Sequence, residues 1–317
     1  MGVYSEINLE EINNILKHYE LGSALSFKAT IEGISNSNYH VKLESGKDVL
    51  LKVSNDKTIE ELENEQQILN SLKNYNYPYS LNPFKTTLGK SIYHHGDLYG
   101  VVFPFIKGFP PKINNRSIYQ IGAALGKLHS LEIRKEDLAV IRPHDIVGHG
   151  ASSIIKYIKS KNAASDYVDA FNEIFPDKLS TIPYDVFPVG IIHGDLYFDN
   201  SLFFEDELVT LIDFEQSGRG RYILDIGIAI SGSCLNDNKS NIDQDLMSKF
   251  LEGYETQRSM ITIEKEYLNT AILVGFFSIS LWRIERFLDG LLDSSKKYNY
   301  RDLLLRAFNY SKSLKRP

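Results

Sequence analysis

The sequence predicts an α+β protein with two lobes: a small N-terminal lobe built on an antiparallel sheet and a larger, mainly helical C-terminal lobe. Apolar and polar residues alternate over residues 25–54, a proline-rich stretch that contains Gly108 follows at Phe103–Pro111, and apolar residues recur at helical spacing beyond it. The length of 317 residues also favours two hydrophobic cores over one. We therefore expect an N-terminal lobe over residues 1–103, a hinge at 104–108 and a C-terminal lobe over 109–317.

The N-terminal lobe is predicted to begin with a small amphipathic helix within residues 1 to about 20. The alternating segment predicts three antiparallel strands, joined by turns at Asn36–Asn38 and at Ser45–Asp48. A long helix follows, and its start is marked by Thr58 and Glu61, which form a T-x-x-E capping box. The segment Tyr77–Phe105 predicts further strands before the lobe ends.

Composition narrows the class of partner. The formal net charge of -6 argues against a nucleic-acid partner, which usually requires a basic surface. The most apolar stretch, Ala271–Trp282, is too short to span a bilayer and predicts a buried helix, so we expect no membrane partner. The one cysteine, Cys234, cannot form an internal disulfide, and no signal peptide is visible, so we expect a cytoplasmic protein. The oligomeric state is not predicted.

The pentapeptide HGDLY occurs twice, as His95–Tyr99 and as His193–Tyr197. The first copy lies between two apolar segments that are typical of strands, and it predicts a hairpin with its turn at Gly96 and Asp97. No asparagine lies five positions after Asp97, and no strand-terminal aspartate follows at a useful distance. We therefore expect the first copy to be structural.

The second copy continues differently, and its surroundings predict phosphoryl transfer. Asn200 lies five positions after Asp195, and Asp213 ends the apolar strand that follows. Asparagine and aspartate supply the hard oxygen ligands that Mg²⁺ prefers, and a carboxylate can orient an acceptor hydroxyl and take its proton. The protein-kinase catalytic loop has the same D-x4-N spacing before a metal-binding aspartate. Either motif alone is as easily a turn or a cap, so the prediction depends on the combination.

A site of this type also needs a lysine on a strand and a helix carboxylate that holds it. Lys52 lies within an apolar strand segment, where burial of its charge requires a partner. Four glutamates follow on the predicted helix, and of these Glu65 lies in the middle of the apolar stripe, while Glu61 already serves the cap. We therefore predict a Lys52–Glu65 pair; the alternative is that both are surface residues.

These motifs together resemble the aminoglycoside phosphotransferase and choline kinase superfamily, which has a bilobal protein-kinase-like fold and phosphorylates small-molecule hydroxyls. The resemblance runs from GISNSNYHVKL to LWRIERF, and it is carried by HGDLYFDNSLF, LIDFEQSG and LDIGIAI. Within the superfamily the chain is most similar to the homoserine kinases of this fold, although the IDFE stretch is also similar to choline kinases. The resemblance implies ATP and Mg²⁺ as cofactors.

The resemblance also implies a role for each site residue. Asp195 would be the catalytic base, Asn200 and Asp213 would hold Mg²⁺, and His193 and Asp225 would support the loop. Lys52 would bind the α- and β-phosphates and Glu65 would position it. The remaining nucleotide-binding residues would be Ser35, Asn36, Ser37 and Asn38 over the phosphates, with Phe103, Phe105 and Ile106 at the adenine.

The acceptor is less well defined by the sequence. Arg283 and Arg286 lie one helical turn apart and could present a guanidinium to the carboxylate of homoserine, or both could pair with surface acids. A choline or ethanolamine acceptor would instead require an aromatic cage. Antibiotic or sugar phosphorylation is a further alternative. An inactive nucleotide-binding relative is less favoured, because the lysine, both metal ligands, the base and Glu65 are all present.

Overall fold

The computed structural model describes residues 5–30, 36–176, 179, 182–290 and 296–315, with only the backbone of residues 146 and 147. The chain forms two compact units, of which the first comprises residues 1–76 and 80–107 and the second comprises residues 77–79 and 108–317. The described part combines an antiparallel sheet in the first unit with mainly helical structure in the second, which confirms the predicted α+β class.

The first unit is a five-stranded antiparallel sheet with the strand order β1-β2-β3-β5-β4 and two helices. Its elements are α1 (Leu9–Lys17), β1 (Ala24–Ala29), β2 (Asn36–Leu43), β3 (Asp48–Ser54), α2 (Ile59–Asn74), β4 (Ile92–His95) and β5 (Leu98–Pro104). Ile12, Ile15 and Leu16 of α1 are fully buried and form one hydrophobic core with the apolar side chains of β2 and β3. The predicted first helix and the three strands over residues 25–54 are confirmed.

The turn predicted at Asn36–Asn38 is wrong, because these residues open strand β2. Asn36 pairs with Ser54 of β3, and Asn38 pairs with Lys52. Turn-type side chains are tolerated here because the fold supplies their hydrogen bonds: the backbone N–H and the hydroxyl of Ser37 both donate to Oδ1 of Asn55, at 2.9 Å each. Tertiary partners therefore override the local turn preference of Asn and Ser.

Two local predictions in the first unit are confirmed. Helix α2 begins with the capping box, in which Oγ1 of Thr58 accepts from the Glu61 N–H and the Glu61 carboxylate accepts from the Thr58 N–H. The first HGDLY copy is a hairpin between β4 and β5, with Gly96 in the left-handed region (φ 59°).

The second unit consists of helices around two small antiparallel sheets, β6–β9 and β7–β8. Its helices are α3 (Asn115–His129), α4 (Lys135–Ala139), α5 (His144–Val147), α6 (Ala151–Ile158), α7 (Ser165–Ile174), α8 (Tyr222–Ser233), α9 (Gln244–Glu255), α10 (Thr262–Leu288) and α11 (Tyr300–Leu314). Its strands are β6 (Val189–Ile192), β7 (Ser201–Phe204), β8 (Glu207–Leu211) and β9 (Gly218–Arg221). The strands interrupt the helices where the sequence predicts, around the second HGDLY copy.

Helices α8 and α10 form the centre of the second unit. They approach so closely that a Cβ atom on Gly227 would overlap the backbone of Ala271. Residues Ala271 to Leu281 of α10 are buried, which confirms the buried helix predicted there. None of the helices described here is both long enough and apolar enough to cross a membrane.

Candidate active site

The second HGDLY copy forms a compact loop between β6 and β7. Strand β6 ends at Ile192, and a short 3-10 turn at Phe198–Asn200 leads into β7. Inside the loop the Tyr197 N–H donates to the Asp195 carbonyl at 2.9 Å, and the Asn200 N–H donates to the Tyr197 carbonyl at 3.0 Å. These bonds fold the chain back, so that Asn200 returns to Asp195.

The loop and the segment after β8 bring Asp195, Asn200 and Asp213 together. Nδ2 of Asn200 donates to the backbone oxygen of Asp195 at 2.7 Å and to its Oδ2 at 3.3 Å. The Ile212 N–H donates to the Asn200 carbonyl at 2.9 Å, which ties the segment before Asp213 to the loop. Asp213 itself adopts a left-handed conformation (φ 64°, ψ 60°), which an aspartate tolerates better than most residues.

The electrostatics of these residues suit a divalent cation. Burial raises the pKa of Asp195 well above its ordinary value, and the negative charges of Asp213 and Asp199 raise it further. The amide nitrogen of Asn200 donates to Asp195, so Oδ1 is the atom of this side chain that could coordinate a cation. Among the described residues no cluster of three or more His, Cys, Asp or Glu could hold a metal alone. An amide and one or two carboxylates nevertheless suit Mg²⁺, which commonly takes its other ligands from phosphates and water.

Asp225 supports the loop from α8. Its carboxylate accepts from the backbone N–H groups of His193 and Gly194, at 2.7 and 2.9 Å. Nε2 of His129 lies 3.0 Å from the same carboxylate. Burial alone would raise the pKa of Asp225, but the hydrogen bonds from His129 and from the Gly194 N–H outweigh it and lower the pKa. The buried aspartate is therefore held ionised beneath the loop.

His193 links the loop to the Asp213 segment. Its Nε2 lies 3.0 Å from the Ile212 carbonyl, and its Nδ1 accepts from the Asp195 N–H at 3.3 Å. Donation from Nε2 and acceptance at Nδ1 together describe a neutral imidazole. Burial lowers the pKa of His193, which favours the same neutral form. Both ring nitrogens form hydrogen bonds with backbone groups, so His193 can hold the loop against the segment before Asp213.

A buried polar chain behind Asp225 was not predicted. Nδ1 of His129 lies 2.8 Å from the Tyr254 hydroxyl, which accepts from Arg258 at 2.9 Å. Arg258 also forms an ion pair with the buried Glu264 at 2.9 Å. The sequence contains one indication that His129 is buried: it lies four residues after Leu125, on the apolar face of α3. Its partners come from distant helices, and no spacing rule connects them.

Three buried histidines of the second unit make its stability pH-dependent. Burial lowers the pKa of His129, His144 and His193 below the unfolded value, so the unfolded chain binds more protons below about pH 6.5. Because the unfolded pKa is about 6.5, each histidine lowers the free energy of unfolding at pH 5.5 by at most about 1.4 kcal/mol. The raised pKa of Asp195 opposes this fall, because the folded state gains a proton there.

Chemical denaturation at pH 7.5 and pH 5.5 measures this effect. We expect lower stability at pH 5.5 and a steeper fall in Asp195→Asn, which removes the opposing carboxyl. Equal stability at the two pH values in both proteins would contradict the prediction.

In the first unit, Lys52 and Glu65 are brought together. Both are buried, with 8% and 4% of their surface exposed, and Lys52 Nζ lies 4.0 Å from Oε1 of Glu65. Lys52 is held on β3 between β2 and β5, and a Cβ on the neighbouring Gly100 would overlap its carbonyl oxygen. The close approach of β5 at Lys52 therefore requires a glycine.

The other predicted nucleotide residues lie along β2 and at the end of β5. Ser35 is outside the described residues, while Asn36, Ser37 and Asn38 lie on β2. Phe103 is a buried residue of β5. The Phe105 N–H donates to the Asp48 carbonyl at 3.2 Å, and its ring stacks on His40 with centroids 3.8 Å apart. Phe105 and Ile106 directly follow β5.

Arg283 and Arg286 have different environments on α10. Arg286 is buried, with its guanidinium 4.9 Å from the ring centroid of Trp282. Arg283 donates to the Asn299 carbonyl at 2.9 Å. Burial raises the pKa of Asp199, and the positive charges of Lys239 and Arg283 oppose that rise, so Arg283 lies near the catalytic loop.

A second arginine near the loop, Arg306 on α11, was not predicted. It is half-buried and has no hydrogen bond or ion pair with a carboxylate among the described residues. Burial and the charge of Arg283 lower the pKa of Arg306. Burial and Asp195 raise the pKa of Tyr197, whereas Arg283 and Arg306 oppose that rise. Arg283 and Arg306, hereafter the arginine pair, therefore lie close to each other and to Tyr197, whose ring packs on Gly232 of α8.

Comparisons with known proteins identify a family and relatives that this chain is similar to. The model of the family described as "Phosphotransferase enzyme family" matches residues 27–261. A homoserine kinase of Nitrobacter winogradskyi is 28% identical over 277 residues, covering 84% of this chain and 81% of the relative.

Solved structures agree at the level of the fold. A structure of amicoumacin kinase in complex with AMP-PNP, Ca²⁺ and Ami has a TM-score of 0.68 at 16% identity, covering 90% of this chain and 92% of that one. A spectinomycin phosphotransferase in complex with ADP and spectinomycin has a TM-score of 0.61 at 16% identity, covering 99% and 96%. These likenesses confirm the kinase-like fold that the sequence predicts.

Proposed function

The chain belongs to the phosphotransferase enzyme family, and on that premise we propose that it is a homoserine kinase, transferring the γ-phosphoryl group of ATP to the side-chain hydroxyl of homoserine. The similarity to homoserine kinases over 84% of the chain supports this acceptor. The observation that carries the proposal is the arginine pair, which lies beside Tyr197 in the loop that also contains Asp195.

The charges around the loop match a zwitterionic amino acid. The arginine pair offers two guanidiniums to a carboxylate. Arg306 forms no hydrogen bond or ion pair with a carboxylate among the residues described, and the nearby charge of Asp302 only partly opposes the lowering of its pKa. Asp199 lies near Arg283 and offers a negative charge to an ammonium group. Homoserine carries both groups on one carbon atom. Choline, ethanolamine and aminoglycosides carry positive charge without a carboxylate, so the arginine pair would repel them.

In this proposal the residues of the loop perform the acceptor chemistry. Asp195 would orient the acceptor hydroxyl and take up its proton, and the hydrogen bond from Asn200 would fix the direction of the carboxylate. Oδ1 of Asn200 and the carboxylate of Asp213 would hold Mg²⁺. Bound Mg²⁺–ATP supplies the phosphoryl group and the cation that neutralises its charge. His193 and Asp225 would keep the loop in this arrangement.

The first unit would bind the nucleotide. Lys52 would donate to the α- and β-phosphates, with Glu65 holding the ammonium in position. Asn36, Ser37 and Asn38, at the start of β2, would lie beside the phosphates. The segment 104–108 would act as the hinge, with Ile106 and the Phe105 carbonyl meeting the adenine.

An acceptor panel tests the proposal. Mg²⁺–ATP consumption is measured with L-homoserine, choline, ethanolamine, an aminoglycoside and a hexosamine. We expect the highest kcat/KM with homoserine. A higher kcat/KM with choline, ethanolamine or an antibiotic would identify that compound, and not homoserine, as the acceptor. Absence of turnover together with absence of Mg²⁺–ATP binding would favour an inactive relative.

The Arg306→Gln variant tests the observation behind the proposal. We expect it to raise KM for homoserine about 10- to 100-fold, with KM for ATP unchanged, because a charge-assisted pair with the carboxylate is lost. L-homoserinamide, which lacks the carboxylate, should be affected little. Arg301→Gln is the matched control, since Arg301 lies on the same helix and pairs with Asp166. An equal loss with homoserine and homoserinamide would refute the carboxylate contact.

A further inference from the structure

The second unit contains a cavity that the proposed phosphotransfer does not use. Its volume is about 490 Å³, within the range of small-molecule sites, and it lies between the β6–β9 sheet, the start of α8 and one side of α10. Asp195, Asn200 and Asp213 do not line it. Most of its walls are apolar, with Ile155, Phe187, Leu224 and Val274 among them.

One buried histidine in the wall has no hydrogen-bond partner among the described residues. His144 is 2% exposed, and neither ring nitrogen is bonded to any residue that the structure describes. Its ring packs on the catalytic loop, since a Cβ on Gly194 would lie 2.9 Å from both Cδ2 and Nε2. A space-filling side chain at this place would not need two polar atoms. Buried polar groups almost always have partners, so a buried imidazole in a cavity wall, without a partner among the described residues, indicates a ligand that supplies one.

Further hydrogen-bond donors lie in the same wall. The hydroxyl of Tyr184 is also buried without a partner among the described residues. Arg219 and Arg221 line the cavity and are partly exposed. Arg221 donates to the Tyr184 carbonyl at 2.6 Å, whereas the side chain of Arg219 forms no hydrogen bond or ion pair within the described part of the chain.

The balance of donors and charge favours an anionic head group. Among the described residues of the wall, the exposed Asp145 is the one carboxylate, against two guanidiniums. Arg221 also lies 3.8 Å from the Asp185 carboxylate outside the wall, so Arg219 is the guanidinium that remains for a ligand. A carboxylate can accept from a guanidinium, from the Tyr184 hydroxyl and from the N–H of a neutral imidazole at once. A neutral amide of the same shape would lose the charge-assisted bond.

We propose that this cavity binds a small monocarboxylic acid with a branched aliphatic or aromatic body, whose carboxylate is held by Arg219, Tyr184 and His144. The body of the ligand would lie against the apolar walls, and the head group would contact the residue that packs on Gly194. The site is separate from the acceptor and nucleotide sites, so its occupancy does not depend on which hydroxyl the enzyme phosphorylates.

Binding of two acids to the full-length chain tests the proposal. The probes are 4-methylpentanoate and 3-phenylpropionate, each compared with its neutral amide, and binding is followed by calorimetry and by thermal unfolding. We expect at least one acid to raise Tm by roughly 2–4 °C at a concentration about tenfold above its Kd. The matching amide should bind about tenfold more weakly.

Three variants locate the bound acid. Thr270→Trp fills the rim of the cavity and should abolish binding, while Arg219→Gln should reduce the preference for acid over amide about tenfold. Arg134→Gln is the control, because this exposed arginine pairs with Asp137 and does not line the cavity. The proposal is overturned if neither acid binds, if binding survives Thr270→Trp, or if Arg219→Gln and Arg134→Gln behave alike. If Thr270→Trp does not fold, the acid-over-amide preference of Arg219→Gln, compared with that of Arg134→Gln, still tests the proposal, because Arg219 is partly exposed and its replacement should not prevent folding.

Discussion

Replacing Asp195 with asparagine is expected to lower kcat about 10³-fold while changing the Kd of Mg²⁺–ATP little. Asparagine has the same shape, so its side-chain oxygen can still accept from Nδ2 of Asn200. It cannot take a proton from the acceptor hydroxyl. Because the negative charge of Asp213 already opposes ionisation of Asp195, removing one of the two charges should not disrupt the loop. The expected loss is therefore in turnover rather than in folding.

The first HGDLY copy provides a matched control for this experiment. Asp97 occupies the same place in an identical pentapeptide, but it lies at the turn of the β4–β5 hairpin. Asp97→Asn should leave kcat unchanged. Single-turnover kinetics and nucleotide binding, measured on both variants, separate chemistry from affinity. Near-normal turnover in Asp195→Asn, or an equal loss in Asp97→Asn, would remove Asp195 from the proposed mechanism.

The sequence predicts best where neighbouring residues determine the outcome. The capping box at Thr58 depends on contacts within one turn of helix, and it forms as expected. The angular position of Glu65 on α2 distinguishes it from the other glutamates, and the structure buries it beside Lys52. The residues after each HGDLY copy distinguish the two copies, and the first is the predicted hairpin.

The sequence predicts poorly where partners come from distant segments. Asn36–Asn38 have turn-type side chains, but Asn55 and the β3 ladder hold them in a strand. Arg306 lies near the catalytic loop only because α11 packs on α10. No pattern among neighbouring residues predicts that Arg306 lies near the loop. Composition also could not show that the cavity wall contains a buried histidine without a hydrogen-bond partner among the described residues.

The support beneath the loop has the same long-range character. Strands β7, β8 and β9 lie between Asp195 and Asp225 in the chain. The side chain that donates to Asp225 from another element, His129, belongs to α3. Three hydrogen-bond donors converge on this single buried carboxylate. The loop geometry and the stability of the second unit therefore depend on one side chain.

Asp225→Ala is expected to reduce the free energy of unfolding of the second unit by about 3–5 kcal/mol and to lower kcat as well. The substitution leaves the N–H groups of His193 and Gly194 and Nε2 of His129 buried without an acceptor. Water cannot replace the carboxylate easily, because Asp225 is fully buried. The turn before Asp195 would also lose the bonds that fix its direction. Chemical denaturation and steady-state kinetics of the full-length protein measure both effects.

Asp243→Ala is the matched control for burial. Asp243 also accepts from two backbone N–H groups, those of Asp245 and Leu246, as the N-cap of α9, but it is partly exposed. Solvent can take over these bonds, so a loss of about 1 kcal/mol is expected, with kcat unchanged. If Asp225→Ala cost no more stability than Asp243→Ala, the buried carboxylate would not be what holds the loop. A large stability loss with unchanged kcat would instead show that the loop keeps its working geometry without Asp225.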